Sequence, residues 1–181
     1  MTKIRLFVAV LIPEDIRDSI AELVSGLQKV RGLPQDIRFV PPENWHFTLT
    51  FLGYQDESVA PQISRLLKFD LDSDIEFEKV IYGPPGPGPR MIWLTTKRRT
   101  SEELGKIKKR LEDEFETGGI RWHRELRPYR AHLTLARFPE TSPKNLPLIE
   151  KEIDWRYKAQ EIHLMRSTLK RTGAEYEVLD L

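Results

Sequence analysis

The sequence contains no cysteine among its 181 residues. Disulfide bonds and thiolate metal sites are therefore excluded, and the composition is typical of a reducing compartment. No apolar run approaches the ~20 residues of a membrane-spanning helix. No charge of one sign dominates either, because 29 Lys and Arg balance 28 Asp and Glu to leave a net charge of +1. We therefore expect a cytoplasmic protein with no membrane partner and no global electrostatic preference for nucleic acid.

Motifs for nucleoside triphosphates and for metals are also missing. The Gly and Pro run at residues 83–89 is not followed by the Lys-Ser/Thr pair of a phosphate-binding loop. The four histidines form neither a His-x-His nor a His-Glu-x-x-His pattern, and no cysteine could complete a ligand set. We expect neither a metal nor a cofactor.

One pattern does occur, and it occurs twice. The first copy reads His-Phe-Thr-Leu from His46, within an apolar segment that alternates with period two. Such alternation predicts a β-strand, in which residues i and i+2 share a face. His46 and Thr48 should therefore lie on one face. Phe47, Leu49 and Phe51 should lie on the opposite face, in the core.

The second copy reads His-Leu-Thr-Leu from His132 and obeys the same rule. His132 and Thr134 should share a face, and strict alternation places Arg137 on the other one. If the two strands lie side by side, two imidazoles and two hydroxyls converge on one small volume. Four such groups with matched spacing favour a catalytic site over a chance arrangement.

Periodicity and turn residues predict the remaining elements. The predicted helices begin at Pro13, Ser58 and Ser101, and Gly53 is expected to end the first motif strand. Around each motif copy the pattern is strand, helix and further strands. We therefore expect an α+β fold with two pseudo-symmetric antiparallel-sheet lobes, outer helices and a central cleft, all within one domain of residues 1–181. The predicted strands are residues 4–12, 36–40, 45–52, 74–82, 91–95, 131–138, 159–169 and 176–179.

The paired motifs resemble those of the two-histidine (2H) phosphoesterase superfamily, and within it the RNA 2′,3′-cyclic phosphodiesterases, also known as 2′-5′ RNA ligases. The resemblance covers nearly the whole chain, and the departures are small: Trp45 stands where an aliphatic residue is usual, and Ala131 where proline is common. The segments that carry the resemblance are Arg5 to Ala9, Val40 to Gly53, Tyr129 to Arg137, and the closing Ser167, Leu169, Gly173 and Tyr176.

The resemblance implies metal-independent hydrolysis of a 2′,3′-cyclic phosphate, at the end of an RNA or on a nucleotide, to a 2′-phosphomonoester. It favours His46 as the acid on the ribose 3′ oxygen and His132 as the base on water. This division suits the chemistry, because imidazoles titrate near ~6.5 and can share acid and base roles at neutral pH. The reverse reaction would exchange the two roles, so their assignment stays open.

The phosphate would be bound by Thr48 and Thr134, whose hydroxyls can donate to non-bridging oxygens. Arg137 could bend round the strand end to join them, as the family pattern suggests, or form an ion pair at the rim. Tyr129 and Arg130 belong to a basic and aromatic segment before the second motif, and either guide RNA or form a solvated surface.

Two alternatives to the hydrolase remain at this point. One is 2′-5′ RNA ligase activity at the same site, which would run without an ATP motif. The other is a non-catalytic RNA- or nucleotide-binding module, although a pure binder gains little from two titrating groups. We expect the partner to be RNA or a nucleotide with a 2′,3′-cyclic phosphate, and the protein to be a monomer.

Overall fold

The computed structural model describes residues 2–68, 71–140, 145–171 and 173–180. Over these ranges the chain forms three α-helices: α1 (Glu14–Leu27), α2 (Ala60–Leu66) and α3 (Arg98–Thr117). The strands within the same ranges are β1 (Lys3–Leu11), β2 (Arg38–Phe39), β3 (His46–Asp56), β4 (Ser73–Gly83), β5 (Met91–Thr96), β6 (His132–Arg137), β7 (Lys151–Glu152), β8 (Arg156–Ala159), β9 (His163–Lys170) and β10 (Gly173–Val178).

The strands form two antiparallel sheets. The first has the order β10-β9-β1-β3, and the second has the order β2-β6-β5-β4-β7, with β8 pairing along the first half of β4. The predicted α+β, two-lobed architecture is confirmed. One continuous apolar cluster contains residues of both sheets, including Leu49 of β3 and Leu133 of β6.

The two lobes repeat one arrangement. In the first, β1 is followed by α1 and, after the short β2 that pairs in the other sheet, by its antiparallel partner β3, so that His46 lies opposite Leu11. In the second, β5 is followed by α3 and then by β6, so that His132 lies opposite Thr95. Each histidine therefore begins the returning strand of a strand–helix–strand unit.

Amphipathic patterning fixes how the helices pack. Ile16, Ile20 and Leu27 recur on one face of α1 and are buried, as the helical spacing predicts. Helix α3 buries Leu104 and Phe115 and exposes a strongly charged opposite face. Burying a side chain of this size contributes about 1.5–3 kcal/mol to the free energy of unfolding.

No helix within the described ranges is both long and apolar enough to cross a membrane.

Two predicted strand boundaries are wrong. Gly53 does not end its strand, because β3 continues to Asp56. Gly53 has a φ of +68° and sits at a register shift between β1 and β3, so it accommodates a β-bulge that a non-glycine residue would adopt only with strain. The single strand predicted for 159–169 is instead β8 and β9, which belong to different sheets.

Candidate active site

A cleft of about 1350 Å³ lies between the lobes and is lined by residues of both sheets. His46 and Thr48 reach it from β3, and His132 and Thr134 reach it from β6. The two His-x-Thr motifs therefore converge on one cleft, as the repeated pattern predicts. All four side chains are only partly exposed.

Both imidazoles are held in the same way. The Nδ1 of His46 lies 2.8 Å from the Asn44 carbonyl oxygen, and the Nδ1 of His132 lies 2.8 Å from the Arg130 carbonyl oxygen. A carbonyl can only accept, so Nδ1 carries a proton in each ring and Nε2 is the nitrogen that changes protonation state. In its neutral form His46 accepts at Nε2 from the Thr48 hydroxyl, 3.0 Å away.

Arg137 lines the cleft, although strict alternation places it on the opposite face. The pairing of β5 with β6 shifts between Trp93 opposite Thr134 and Ile92 opposite Ala136. Leu135 is the extra residue of this bulge, so the two following residues exchange faces. As a result Ala136 is buried and the Arg137 side chain joins His132 and Thr134.

The same irregularity in β3 corrects the prediction for Phe51. The register of β1 with β3 shifts between Thr48 and Thr50, which makes Leu49 the extra residue. Thr50 is therefore buried, whereas Phe51 is 42% exposed and lines the cleft instead of the core. Phe51 occupies in the first lobe the position that Arg137 occupies in the second.

Burial governs the proton affinity of both histidines. The pKa of His46 is lowered from 6.5 to about 4, chiefly by desolvation; the Asn44 carbonyl raises it, and the positive charges of Arg137 and His132 add to the lowering. Desolvation also lowers the pKa of His132, with Arg137 acting in the same direction and Glu125 opposing it. Both rings are therefore neutral near pH 7 in the free protein.

Aromatic rings surround each imidazole differently. His132 stacks on the indole of Trp93, with ring centroids 3.8 Å apart and planes 24° from parallel. A Cβ on Gly83 would lie only 2.3 Å from the same indole. Trp93 is on β5, which lies between β6 with His132 and β4 with Gly83, so the indole is flanked by Gly83 on its other side. His46 instead contacts Phe7 at 4.9 Å and the edge of Tyr176 at 5.1 Å. Each ring is thus confined by its neighbours as well as by its hydrogen bond.

Comparison with known proteins assigns the family. A family description, 2′-5′ RNA ligase superfamily, matches residues 6–171.

The chain belongs to the 2′-5′ RNA ligase superfamily.

Curated relatives match this chain in sequence over nearly their whole lengths. The RNA 2′,3′-cyclic phosphodiesterase of Methanocaldococcus jannaschii is 32% identical, with 97% of this chain and 98% of the relative covered. That of Archaeoglobus fulgidus is 29% identical, with 97% of each covered.

Solved structures share the fold of this superfamily member. A protein of Thermus thermophilus superimposes with a TM-score of 0.79 at 27% identity, covering 97% of this chain and 95% of its own. E. coli LigT complexed with 3′-AMP superimposes with a TM-score of 0.75 at 23% identity, covering 99% and 97%. At that identity the second likeness establishes the fold alone.

Two further residues predicted for the site, Tyr129 and Arg130, lie outside the cleft of this superfamily member. Tyr129 is largely enclosed, and its hydroxyl donates to the Thr48 carbonyl oxygen at 3.0 Å. Burial raises the pKa of that hydroxyl. The side chain of Arg130 is exposed and its carbonyl holds His132. Both residues therefore support the two motif strands, and neither lines the cleft.

Sequence reasoning does not find two residues beside the histidines, Trp93 and Phe51. Trp93 belongs to the predicted strand 91–95 without any site role, yet it stacks on His132. Phe51 is predicted in the core, whereas it lines the cleft. The bulges that redirect Phe51 and Arg137 have no signal in the sequence, because the burial of residues 49–50 and 135–136 is seen only in the folded chain. Within the described residues, no three His, Asp or Glu side chains are grouped as a metal ion would require.

Proposed function

We propose that the protein hydrolyses the 2′,3′-cyclic phosphate of RNA ends or nucleotides to a 2′-phosphomonoester, with His46 and His132 as its acid and base. The observation that carries this proposal is the pair of identically anchored imidazoles that meet in one cleft. An in-line displacement at phosphorus needs a proton acceptor on one side and a proton donor on the other. Two such rings meet that requirement.

His132 suits the role of base. Its lowered pKa keeps the ring neutral near pH 7, and the Arg130 carbonyl fixes the proton on Nδ1. Nε2 is then free to accept a proton from the attacking water. Stacking on Trp93 restrains the ring, so the lone pair keeps one direction during attack.

His46 must be protonated to act as acid on the 3′ oxygen, although its pKa in the free protein is about 4. The substrate resolves this conflict, because the bound phosphodiester is an anion. One negative charge about 4 Å from the ring contributes about 4 kcal/mol in a partly solvated site. An interaction of this size raises the pKa of His46 towards neutrality, so that substrate binding itself charges the acid.

The developing charge on the phosphoryl oxygens needs fixed donors. Thr48 and Thr134 provide hydroxyls from the same two strands, and Arg137 adds a permanent positive charge that acts on both histidines. Relatives of full length that are named RNA 2′,3′-cyclic phosphodiesterase support this reaction class.

The test replaces each histidine by alanine and measures hydrolysis of a 2′,3′-cyclic mononucleotide. General acid–base catalysis is worth about 10²–10⁴-fold, so His46→Ala and His132→Ala should each lose at least 10²-fold in kcat. His123→Ala, at an exposed histidine outside the cleft, is the matched control and should keep full activity.

Retention of most activity by either cleft variant, with the fold intact, would remove that histidine from the mechanism. Two further outcomes lead to the alternatives. Joining of the substrate to a 5′-hydroxyl RNA in place of hydrolysis indicates a ligase, and tight binding without any product indicates a binding module.

A further inference from the structure

A series of ring contacts leads from His46 to the guanidinium of Arg5 at another part of the cleft. His46 contacts Phe7 at 4.9 Å, Phe7 lies 5.9 Å from the parallel ring of Phe51, and Arg5 places its Cζ 4.4 Å above the Phe51 ring. Of these, Arg5 and Phe51 line the cleft directly, together with Tyr176. We name Arg5, Phe51 and Tyr176 the β1 shelf.

Arg5 is held in position but not neutralised. Its Nη1 donates to the hydroxyl of the buried Ser167 at 3.3 Å, and its planar group lies over Phe51. Within the described residues no carboxylate lies at ion-pair distance from Arg5. The acidic residues of the neighbouring hairpin have other partners, since Glu175 pairs with Lys170 at 2.6 Å and Glu177 with Arg166 at 3.4 Å.

A guanidinium has five N–H donors, and one of them satisfies Ser167 here. The remaining donors indicate an anionic ligand, because a planar guanidinium can donate two parallel hydrogen bonds to phosphate oxygens. The exposed ring of Phe51 and the half-buried ring of Tyr176 lie near this cation and suit the bases of a single strand, which stack without regard to sequence. Phosphate and base together indicate a polynucleotide chain.

The distance from His46 decides which phosphate Arg5 can reach. Two phenyl rings, those of Phe7 and Phe51, lie between the His46 imidazole and the Arg5 guanidinium. In the ladder of β1 and β3, Arg5 lies opposite Tyr54, eight residues along β3 from His46. One cyclic phosphate cannot span that gap with ordinary hydrogen bonds of about 3 Å. A phosphodiester one or two nucleotides upstream of the cyclic end would reach Arg5, and a mononucleotide has no such group.

We propose that Arg5 binds an upstream phosphodiester of the RNA chain along the β1 shelf, and thereby makes the site select RNA ends over cyclic mononucleotides. This inference rests on the proposed function and names its substrate class. It also gives the cleft a polarity, with the chain leaving along β1 and away from β6.

The opposite route would use Arg38, which also lines the cleft and pairs through its strand with Arg137. Arg38 is exposed, and in the described part of the chain its side chain has neither a hydroxyl anchor nor an aromatic platform. The fixed guanidinium of Arg5 favours the first route, because less side-chain freedom is lost on binding.

The test compares kcat/KM for a trinucleotide that ends in a 2′,3′-cyclic phosphate with kcat/KM for the cyclic mononucleotide. Arg5→Gln should lower the value for the trinucleotide about tenfold and leave the mononucleotide within about twofold, since one phosphate contact is lost. It should also flatten the dependence of log kcat/KM on log salt by about 0.7 for the trinucleotide, the slope of one phosphate contact on a single strand.

Arg166→Gln is the matched control, since it removes the same charge from the same sheet outside the cleft and should leave both substrates unchanged. Arg38→Gln tests the other route. An equal loss on both substrates would show that Arg5 only supports the fold, and a trinucleotide-specific loss in Arg38→Gln but not in Arg5→Gln would reverse the polarity; either result overturns the inference.

The wild-type protein supplies a test that does not depend on a variant that folds. It must hydrolyse the trinucleotide with the higher kcat/KM, and that value must fall more steeply with salt than the value for the mononucleotide. Equal values with equal salt dependence overturn the inference while leaving the hydrolase itself intact. No hydrolysis of either substrate refutes the proposed function instead.

Discussion

The substitution Gly83→Ala adds a methyl group outside the cleft and should displace His132 inside it. A Cβ at Gly83 would lie 2.3 Å from Cδ2 of Trp93 and 2.6 Å from Cε2 and Cε3. Ordinary contacts begin at 3.4 Å, so the indole would have to move by about 1 Å. His132 stacks at 3.8 Å on the other face and blocks that movement unless it moves as well.

The expected magnitudes follow from this geometry. Overpacking of this kind costs about 1–3 kcal/mol of unfolding free energy. A displacement of about 1 Å in a catalytic group costs up to ~10²-fold in rate. Gly83→Ala should therefore unfold at a lower urea concentration and lose about 10- to 100-fold in kcat. KM should change little, because Gly83 does not line the cleft.

Urea denaturation and turnover of a cyclic mononucleotide measure both effects. Gly26→Ala is the control, since a Cβ there has nothing within 4 Å and α1 gains up to about 1 kcal/mol from the better helix former. In the double variant Gly83→Ala, Trp93→Leu the clash is gone, so its stability should not fall below that of Trp93→Leu alone. Wild-type stability and kcat in Gly83→Ala would refute the stacked arrangement.

Four further results are expected. The pH optimum of kcat/KM should lie below that of kcat, because the pKa values of the histidines are lowered in the free protein and raised by the bound phosphate. Coincident optima would argue against protonation of His46 on substrate binding. The free energy of unfolding should fall by up to about 3 kcal/mol as pH drops from 6.5 to 4, because His46 is protonated at a higher pH in the unfolded chain than in the folded one. His46→Gln should lose this part of the pH dependence of stability, whereas the control His123→Gln should keep it. Arg137→Gln should reduce kcat/KM about 10²-fold, because a charged donor to the transition state is lost. It should also raise the pKa of both histidines, which NMR titration can measure. An unchanged rate would place Arg137 outside the mechanism. Activity should survive EDTA, and its complete loss would require a metal.

The parts of the site that could be predicted from the sequence are local. His46 and Thr48 share a face because they are two residues apart in one strand, and His132 and Thr134 follow the same rule. The lobes could be predicted as well, since each motif has its own helix and strands around it. These features depend on period and spacing, which a sequence displays directly.

The parts that could not be predicted depend on register and on distant neighbours. A single extra residue at Leu49 turns Phe51 into the cleft, and one at Leu135 does the same for Arg137. No glycine or proline marks either bulge. The need for Gly83 arises from Trp93 on a neighbouring strand, and the Gly and Pro run at residues 83–89 does not reveal that contact.

The most direct measurement of the central claim is phosphorus NMR of an RNA trinucleotide with a 2′,3′-cyclic phosphate, incubated with the protein in EDTA. Two imidazoles acting on opposite sides of one phosphate, with His46 as the acid on the 3′ oxygen, predict a 2′-phosphomonoester as the product. A 3′-phosphomonoester would contradict the assigned geometry, and an unchanged cyclic phosphate would contradict catalysis by the pair.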